Sequence, residues 1–181
     1  MDKVTLFDKT FRTFIPYGQI SEAIGRVADR LNADYGASED VPVLLCVLNG
    51  SIMFTAELME RLKFPLELVS IKVSSYSGTS STGTVKQVMG MTGDVAGRRV
   101  IIVEDIVDTG GTISELKRIL AEKGAVESKV CTMLLKPDVY KGKEVLDYVA
   151  MEIPNRFIVG FGLDYNELGR NLKDIYILDE Q

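Results

Sequence analysis

The chain has 181 residues, of which 46% are hydrophobic and 26% charged, as expected for one globular domain and not for a disordered protein. Its net charge of -5 argues against a nonspecific nucleic-acid-binding protein, which needs a basic surface. Histidine is absent, and this excludes Ser-His-Asp and Cys-His catalysis as well as histidine-based zinc sites.

The two cysteines and the terminal sequence indicate the compartment. Cys46 and Cys131 each lie in an apolar, strand-like segment, so we expect two buried thiols in a reducing environment. The N-terminal residues lack the cationic flank and apolar core of a signal peptide, and no apolar run approaches the length of a membrane span. These features predict a cytoplasmic protein with no membrane partner and no nucleic-acid partner.

Predicted helices and strands alternate in the first half of the chain. Residues 1–20 alternate irregularly between apolar and polar, and Ser21 is the predicted N-cap of a first helix. Residues 43–48 and 66–73 form two predicted strands, and a turn at residues 49–51 leads from the first of them into a second helix. The apolar faces of the two helices carry Ile24, Val27, Ala28 and Leu31, and then Phe54, Leu58, Met59 and Leu62.

Residues 74–83, with the sequence SSYSGTSSTG, are the low-complexity segment of the chain. Serine, threonine and glycine cannot build a core, so a surface linker is one interpretation. The segment also lies inside the domain and holds one aromatic residue, Tyr76, which favours an active-site lid. The residue types leave both interpretations open.

Residues 100–112, VIIVEDIVDTGGT, organise the rest of the chain. An uninterrupted β-branched run at residues 100–103 predicts a strand buried on both faces, and Glu104 and Asp105 follow where it should end. Thr112 with Glu115 forms a capping-box pattern, so Thr112 is the predicted N-cap of a third helix. That helix carries Ile113, Leu116, Ile119 and Leu120 on its apolar face and has its predicted stop at Gly124.

The phosphate loop (residues 104–112) combines features of an anion site with three acids. The glycine turn and helix N-terminus present backbone N–H groups to an anion, and Thr109 and Thr112 add hydroxyl donors. Carboxylates beside a phosphate are compatible with a ligand that also carries a sugar and Mg²⁺. The sequence matches neither a Walker A loop nor the dinucleotide fingerprint.

Further strands are predicted in the second half of the chain. Residues 130–135 form a strand ending at Lys136, whose charge either points into a site at the sheet edge or is simply solvated. Residues 148–151, 157–161 and 175–178 are three more short strand candidates. The alternation predicts a twisted parallel sheet with helices on both faces, and the later strands predict a separate cap.

The phosphate loop and the strand before it resemble the phosphoribosyl-pyrophosphate (PRPP) motif of type I phosphoribosyltransferases, in their hypoxanthine-guanine variety. The resemblance covers nearly the whole chain and implies that family's α/β fold, with a mainly parallel twisted sheet and helices on both faces. It implies a single domain over residues 1–181, with a core of about residues 21–150 and a flexible lid at 74–86. Residues 1–20 and 151–181 would form a small hood.

The resemblance also implies roles for individual residues. PRPP and its phosphate would be held by Glu104, Asp105, Asp108, Thr109, Gly110, Gly111 and Thr112. LLCVLNGS at residues 44–51 is similar to the family's pyrophosphate loop, which has a non-proline cis peptide, here between Leu48 and Asn49. Pyrophosphate would be bound by Leu48, Asn49, Gly50, Ser75, Tyr76 and Arg170, with the loop backbone as the main donor because some relatives have lysine at Asn49.

The base and the metal have implied ligands as well. The purine would contact Ile106, Lys136, Phe157, Ile158 and Asp164, with Lys136 at the 6-oxo group, Phe157 stacking and Ile158 offering its main chain. The implied metal ligands are Glu104, Asp105 and Asp164. At one position the chain departs from some relatives, because Gly111 replaces a lysine and removes one cation from the phosphate turn.

The implied activity is purine salvage, in which a Mg²⁺-dependent enzyme transfers the 5-phosphoribosyl group of PRPP to a 6-oxopurine and forms IMP or GMP with pyrophosphate. Asp108 would be the catalytic base, although an aspartate in a turn often only stabilises that turn. The resemblance also implies a homo-oligomer, either a dimer or a tetramer.

Three alternatives compete with this activity. A regulatory protein that senses PRPP would keep the fold, but the acidic chain lacks a basic stripe for RNA or DNA. A phosphotransfer receiver would carry its phosphoacceptor aspartate alone on another strand. Adenine phosphoribosyl transfer is disfavoured by Lys136, because an ammonium would face the amino group of adenine.

Overall fold

The computed structural model describes residues 3–75, 85–89, 91 and 93–179. Within these residues the elements follow in the order β1 (Lys3–Leu6), β2 (Lys9–Ile15), α1 (Tyr17–Tyr35), β3 (Val43–Leu48), α2 (Ile52–Met59), β4 (Glu67–Ser75), β5 (Val85–Met89), β6 (Arg99–Val107), α3 (Gly111–Glu122), β7 (Glu127–Leu135), β8 (Tyr148–Glu152), β9 (Ile158–Val159) and β10 (Ile175–Leu178). β3 and β10 have the bounds that the sequence predicts.

The described strands form two sheets. In the large sheet the strand order is β5-β4-β3-β6-β7-β8, and all neighbours are parallel except the antiparallel edge strand β5. β6 lies in the middle and is paired on both sides, so its end and the phosphate loop are flanked by other strands. This architecture confirms the predicted α/β fold with a mainly parallel sheet.

Helices cover both faces of the large sheet. One face carries Leu44, Ile101 and Cys131, which pack with the buried sides of α1 and α2. The other face carries Leu45 and Ile102, which pack with the buried side of α3. Burial on both faces explains why the strands are uninterrupted apolar runs, because alternating residues all point into a core. Cys46 and Cys131 are buried free thiols, as predicted.

The small sheet is antiparallel, with the order β1-β2-β10-β9, and therefore joins the two ends of the chain. It confirms the predicted cap of terminal segments. β1 and β2 have no counterpart among the predicted strands, because in β2 only Phe11 and Ile15 are buried and the polar–apolar alternation is incomplete. β8, the first of the later predicted strands, belongs instead to the large sheet, where it pairs with β7.

Two predicted helix starts are wrong. α1 begins at Tyr17, four residues before Ser21, and the Tyr17 N–H donates to Asp174 Oδ1 at 2.8 Å. α3 begins at Gly111 with Gly110 as its N-cap, so Thr112 is not the cap. The Thr112–Glu115 capping box does not form there, and Glu115 instead pairs with Arg118 at 2.7 Å.

Two other helix boundaries are informative. The predicted stop of α3 is confirmed, because the helix ends at Glu122 and Gly124 follows with a φ of 81°. α2 ends at Met59, so Leu62 lies beyond the helix to which its spacing assigned it. Among the described residues, no helix combines the length and the apolar character needed to cross a membrane.

Candidate active site

The predicted site residues of the large sheet lie at its carboxyl edge, where β3, β6 and β7 end. Asn49 and Gly50 follow β3, Glu104 and Asp105 lie near the end of β6, and Lys136 follows β7. Because these strands are parallel neighbours, residues far apart in the sequence are brought to the same edge.

The phosphate loop encloses a small cavity of about 90 Å³, lined by Glu104, Ile106, Val107, Asp108, Thr109, Gly110, Gly111, Thr112 and Ile113. Gly110 has a φ of 91°, a left-handed conformation that glycine adopts without strain, and α3 begins at the next residue. The first N–H groups of α3 have no acceptor within the helix, so the cavity suits an anion. Of the seven residues predicted to hold PRPP and its phosphate, all except Asp105 line this cavity.

The side chain of Tyr140 lies against this turn from outside. A methyl group at Gly110 would place its carbon 2.6 Å from Tyr140 Cε2, and the Tyr140 hydroxyl donates to the Glu144 carbonyl oxygen at 2.6 Å. The segment after β7 thus supports the turn. Nothing in the local pattern around Tyr140 indicates this contact, because it joins two separate loops.

The two adjacent acids are unusually buried. Glu104 is 9% exposed, and its Oε2 has no hydrogen-bond partner among the residues that the structure describes. Burial raises the pKa of Glu104 well above its ordinary value, and the negative charge of Asp105 raises it further. Burial also raises the pKa of Asp105, although Ile106 N–H donates to its Oδ1 at 2.7 Å. Such groups are costly to keep in a fold and are typical of a site that binds a ligand or a cation.

The pyrophosphate loop (residues 44–51) contacts these acids. The peptide bond between Leu48 and Asn49 is cis, as the resemblance implies. A methyl group at Gly50 would place its carbon 1.5 Å from Asp105 Oδ2, so this position has room only for hydrogen. Gly162, in the segment after β9, faces the other side of the loop, and a methyl group there would lie 1.9 Å from the Gly50 carbonyl oxygen.

Gly162 was not among the predicted site residues. It has a φ of 97° and belongs to the purine segment (residues 157–170). Its close approach to the Gly50 carbonyl oxygen brings this segment into contact with the pyrophosphate loop. The available signal was the pair Gly160 and Gly162 at the end of a predicted strand, because glycine in a strand often marks a close backbone approach.

A second cavity of about 280 Å³ lies between the carboxyl edge and the purine segment, lined by Ile106, Asp108, Lys136, Arg156, Phe157, Ile158, Leu163 and Asp164. All five predicted purine-binding residues are therefore brought together. Lys136 Nζ lies 3.5 Å from Asp108 Oδ2, and Phe157 keeps 44% of its surface exposed. Arg156 and Leu163 line the cavity without having been predicted; for Arg156 the one available signal was its position beside Phe157.

Arg170 ties the purine segment together. Its Nη2 lies 2.7 Å from Asp164 Oδ1 and 3.0 Å from Glu167 Oε2, while Nη1 donates to the Gly162 carbonyl oxygen at 2.9 Å. Its positive charge also lowers the pKa of Asp105, against the larger effect of burial. Arg170 thus acts electrostatically on Asp105, and the Nε atom of Arg170 has no partner among the described residues.

The predicted metal ligands do not form a cage of protein oxygens. No group of three or more aspartate, glutamate, cysteine or histidine side chains arranged to hold a metal ion occurs within the described ranges. Glu104 and Asp105 are neighbours, whereas Asp164 is engaged by Arg170 and by the Glu167 N–H at 2.8 Å. A metal bound at Glu104 and Asp105 would take further oxygens from outside these side chains, such as those of water or of a bound ligand.

Two predicted contacts fall at the limit of the described residues. Ser75 is the last residue of β4, and Tyr76 lies outside the described residues, as does most of the predicted lid at 74–86. The pyrophosphate role of Ser75 and Tyr76 stays a prediction.

Comparison with known proteins identifies the relatives of this chain. Residues 16–166 match the model of the phosphoribosyl transferase domain. The hypoxanthine-guanine phosphoribosyltransferase of Streptococcus pneumoniae is 38% identical over 171 residues, which are 94% of either chain. That of Mycobacterium tuberculosis is 40% identical over 162 residues, covering 89% of this chain and 79% of the relative.

Solved structures agree with these matches. A hypoxanthine-guanine phosphoribosyltransferase of Bacillus anthracis superposes with a TM-score of 0.86 at 34% identity, covering 92% of this chain and 98% of that one. The hypoxanthine phosphoribosyl transferase of Trypanosoma cruzi gives a TM-score of 0.87 at 32% identity, covering 97% and 95%. With its sheet order, its glycine turn and these similarities, the chain belongs to the phosphoribosyl transferase family and is a transferase.

Proposed function

We propose that this protein transfers the 5-phosphoribosyl group of PRPP to a 6-oxopurine, hypoxanthine or guanine, releasing pyrophosphate and serving purine salvage. One observation carries the proposal: the anion cavity of the phosphate loop and the larger cavity of the purine segment share Ile106 and Asp108. A phosphate bound in the first cavity and a flat base bound in the second would meet beside Asp108. A ribose between them would present its anomeric carbon to the base.

The larger cavity has the chemistry that a 6-oxopurine needs. Phe157 offers an exposed aromatic face, Lys136 offers a donor to the carbonyl oxygen, and the main chain of Ile158 reads the edge of the base. Adenine would place an amino group opposite Lys136, leaving two donors unpaired, and we expect it to be rejected.

Asp108 is suited to manage the proton of the incoming base. It lines both cavities, and its Oδ2 lies 3.5 Å from Lys136 Nζ. The bond from the anomeric carbon to pyrophosphate would break ahead of the new bond, giving an oxocarbenium-like state. Asp108 would accept the proton that the purine nitrogen releases as that bond forms.

Mg²⁺ fits the chemistry of this site. Glu104 and Asp105 supply hard carboxylate oxygens, and the Glu104 Oε2 atom has no partner among the described residues. Magnesium is usually held by one or two carboxylates together with substrate oxygens, so a three-acid cage is not required. Bound there, the ion would neutralise charge on PRPP and pyrophosphate. Asp164, the third predicted ligand, would have to exchange Arg170 for a metal.

Pyrophosphate would be bound mainly by backbone groups of the pyrophosphate loop and by Arg170. Gly50 lets the loop backbone come close to Asp105, and the positive charge of Arg170 also acts on Asp105. A guanidinium beside the leaving group stabilises the negative charge that develops as the bond breaks.

Activity assays with each of four bases test the proposal directly. Purified protein is mixed with PRPP, Mg²⁺ and hypoxanthine, guanine, xanthine or adenine, and nucleotide formation is followed by absorbance. We expect rapid IMP or GMP formation, none of AMP, and loss of activity when EDTA removes the metal. Tight PRPP binding without turnover of any 6-oxopurine would instead favour the PRPP-sensing regulator.

The assembly and location of the protein belong to the same proposal. We expect a homodimer or homotetramer in the cytoplasm, with no nucleic-acid or membrane partner. Sedimentation velocity distinguishes monomer, dimer and tetramer, and a single monomer species at micromolar concentration would contradict this expectation.

A further inference from the structure

Aromatic rings pack behind the exposed face of Phe157. The Phe11 ring, from β2, lies 6.0 Å from the Phe157 ring at an angle of 43°. The Tyr165 ring lies 5.7 Å from it at 86°, an edge-to-face arrangement. These distances are within the range of favourable aromatic pairs. Phe157 therefore has aromatic support from two directions while part of its surface faces the base cavity.

The Tyr165 ring is itself fastened to the turn between β1 and β2. Its hydroxyl donates to Asp8 Oδ1 at 2.7 Å, and the Phe7 ring meets it edge-on at 6.0 Å and 83°. Lys9 Nζ lies 5.6 Å from the centre of the same ring. The hydrogen bond lowers the pKa of Asp8 and raises that of Tyr165, because it favours the ionised carboxylate and the neutral phenol.

The backbone of Tyr165 is fixed as well. Tyr165 and Leu168 exchange backbone hydrogen bonds of 2.9 and 3.1 Å around a two-residue turn. Asn166 and Glu167, the central residues, both have positive φ angles, of 49° and 66°. This geometry is typical of a tight hairpin turn. Side chain and backbone together leave the Tyr165 ring little freedom.

We propose that Tyr165, anchored by Asp8, is a positioning residue for the base: it holds the Phe157 ring in the orientation on which a purine stacks. The inference rests on the proposed function, because it requires that a purine stacks on Phe157. It gives the turn between β1 and β2 a role in base binding. A half-exposed phenylalanine would otherwise sample several rotamers and lose that freedom when the base binds. Packing against Tyr165 restricts the Phe157 ring before the base binds, so less conformational entropy is lost on binding.

A merely structural role makes a different prediction. If Tyr165 only stabilised the small sheet, its loss would lower the melting temperature and affect both substrates alike. If it acts through Phe157, its loss raises the KM for the purine and leaves the KM for PRPP and the kcat at saturation nearly unchanged. The rise in the purine KM must also disappear when Phe157 is replaced by a residue without an aromatic ring.

The experiment compares Tyr165→Leu, Tyr165→Phe and Asp8→Asn with the unaltered protein, and repeats Tyr165→Leu in a Phe157→Leu background. We expect Tyr165→Leu to raise the purine KM roughly 2- to 12-fold, the equivalent of one aromatic pair. Tyr165→Phe keeps the ring and Asp8→Asn keeps both rings, so each should raise the KM less. In the Phe157→Leu background the additional effect of Tyr165→Leu should vanish.

Asp34→Asn is the matched control, because Asp34 accepts a hydrogen bond from the Tyr148 hydroxyl away from the site. It should leave the KM values of both substrates unchanged. Circular dichroism melts check folding. If Tyr165→Leu does not fold, the test uses Tyr165→Phe and Asp8→Asn, and in each the change in the purine KM is compared with the change in the PRPP KM. Equal changes for both substrates, or the same increment in both backgrounds, would overturn the inference.

The outcomes also separate the two proposals. Failure of the unaltered protein to form a nucleotide overturns the proposed function and with it this inference. Nucleotide formation with an unchanged purine KM in every Tyr165 and Asp8 variant overturns this inference alone.

Discussion

The two edges of the large sheet both carry buried ionisable groups, but they use them differently. At the carboxyl edge, Glu104 leaves an oxygen without a partner among the described residues, and its pKa is raised by burial and by Asp105. At the amino edge, where β7 and β8 begin, the Tyr148 hydroxyl donates to Asp34 and accepts from Lys129 Nζ at 3.5 Å. The carboxyl edge thus leaves a buried acid oxygen open to a ligand, whereas at the amino edge the Tyr148 hydroxyl is paired within the chain.

The amino edge extends this pairing through further contacts. The guanidinium of Arg30 lies 5.0 Å from the centre of the Tyr148 ring, and Asp147 Oδ2 accepts the Val130 N–H at 2.8 Å. Satisfied groups of this kind contribute to stability, whereas an unsatisfied buried acid such as Glu104 costs stability. Substitutions at the two edges should therefore separate activity from stability.

The largest expected effect is on turnover, from Asp108→Asn. The amide cannot accept the purine proton, so we expect kcat to fall by about 10²- to 10⁴-fold while the KM for PRPP changes little. Steady-state kinetics with PRPP and hypoxanthine measure both kcat and the KM for PRPP. Asp138→Asn, a nearby exposed carboxylate, should leave kcat unchanged, and unaltered turnover in Asp108→Asn would rule out the base role.

The second effect comes from Gly50→Ala, which tests the contact between the pyrophosphate loop and the acids. Its methyl carbon would overlap Asp105 Oδ2, so the loop or the carboxylate must move. A displacement of about 1 Å at reacting groups costs on the order of 100-fold in rate, and we expect that loss in kcat/KM for PRPP.

Gly25→Ala is the matched control for this change, because no atom lies within 4 Å of the added methyl group. Gly25 is inside α1, so the substitution should stabilise the protein by roughly 0.5 to 1 kcal/mol and leave the kinetics unaltered. Urea unfolding measures the gain. Equal kinetics for Gly50→Ala and Gly25→Ala would show that the close approach at Gly50 has no functional role.

At the amino edge the expected effect is on stability. Tyr148→Phe removes the hydrogen bond to Asp34 and should lower the free energy of unfolding by about 1 to 3 kcal/mol. Because Tyr148 is distant in the sheet from the ends of β3 and β6, kcat and both KM values should stay the same. Urea unfolding with parallel kinetics checks both statements, and a loss of activity without a loss of stability would reverse the assignment of the two edges.

The smallest effect is a pH dependence at the same edge. Burial raises the pKa of Tyr35 from its ordinary 10.0 to about 12, so between these values the folded state holds a proton that the unfolded state has lost. The stabilisation is complete below pH 10 and is lost as the pH rises towards 12. Tyr35→Phe, which keeps the stacking on Phe64 at 5.5 Å, should flatten part of that decline in urea titrations.

The sequence predicted the carboxyl edge well because its information is local. The structure keeps the predicted order of strand, glycine turn and helix, but β6 continues to Val107, so Glu104 and Asp105 lie inside the strand and not after it. The error at Thr112 has a physical reason. A threonine N-cap would use its side chain to satisfy the first N–H groups of the helix, whereas Gly110 leaves them open towards the cavity.

The purine side was predicted less completely because much of it depends on contacts between distant segments. Phe157 and Lys136 were predicted and line the same cavity, but the pairing of Tyr165 with Asp8 joins residues from opposite ends of the chain. β1 and β2 are partly exposed strands of a small sheet, so their hydrophobic pattern is weak. The packing of the Phe11 ring on the Phe157 ring brings β2 next to a residue that lines the second cavity.

The glycine pair at positions 50 and 162 has a consequence for protein engineering. Because neither glycine has a side chain, Gly162 can pack against the carbonyl oxygen of Gly50. This contact joins the loop that would hold the leaving group to the segment that would hold the base. A designer who grafts the base-recognition segment onto another scaffold must therefore transplant both glycines together. Altering base preference by exchanging that segment alone would separate two surfaces that fit only as a unit.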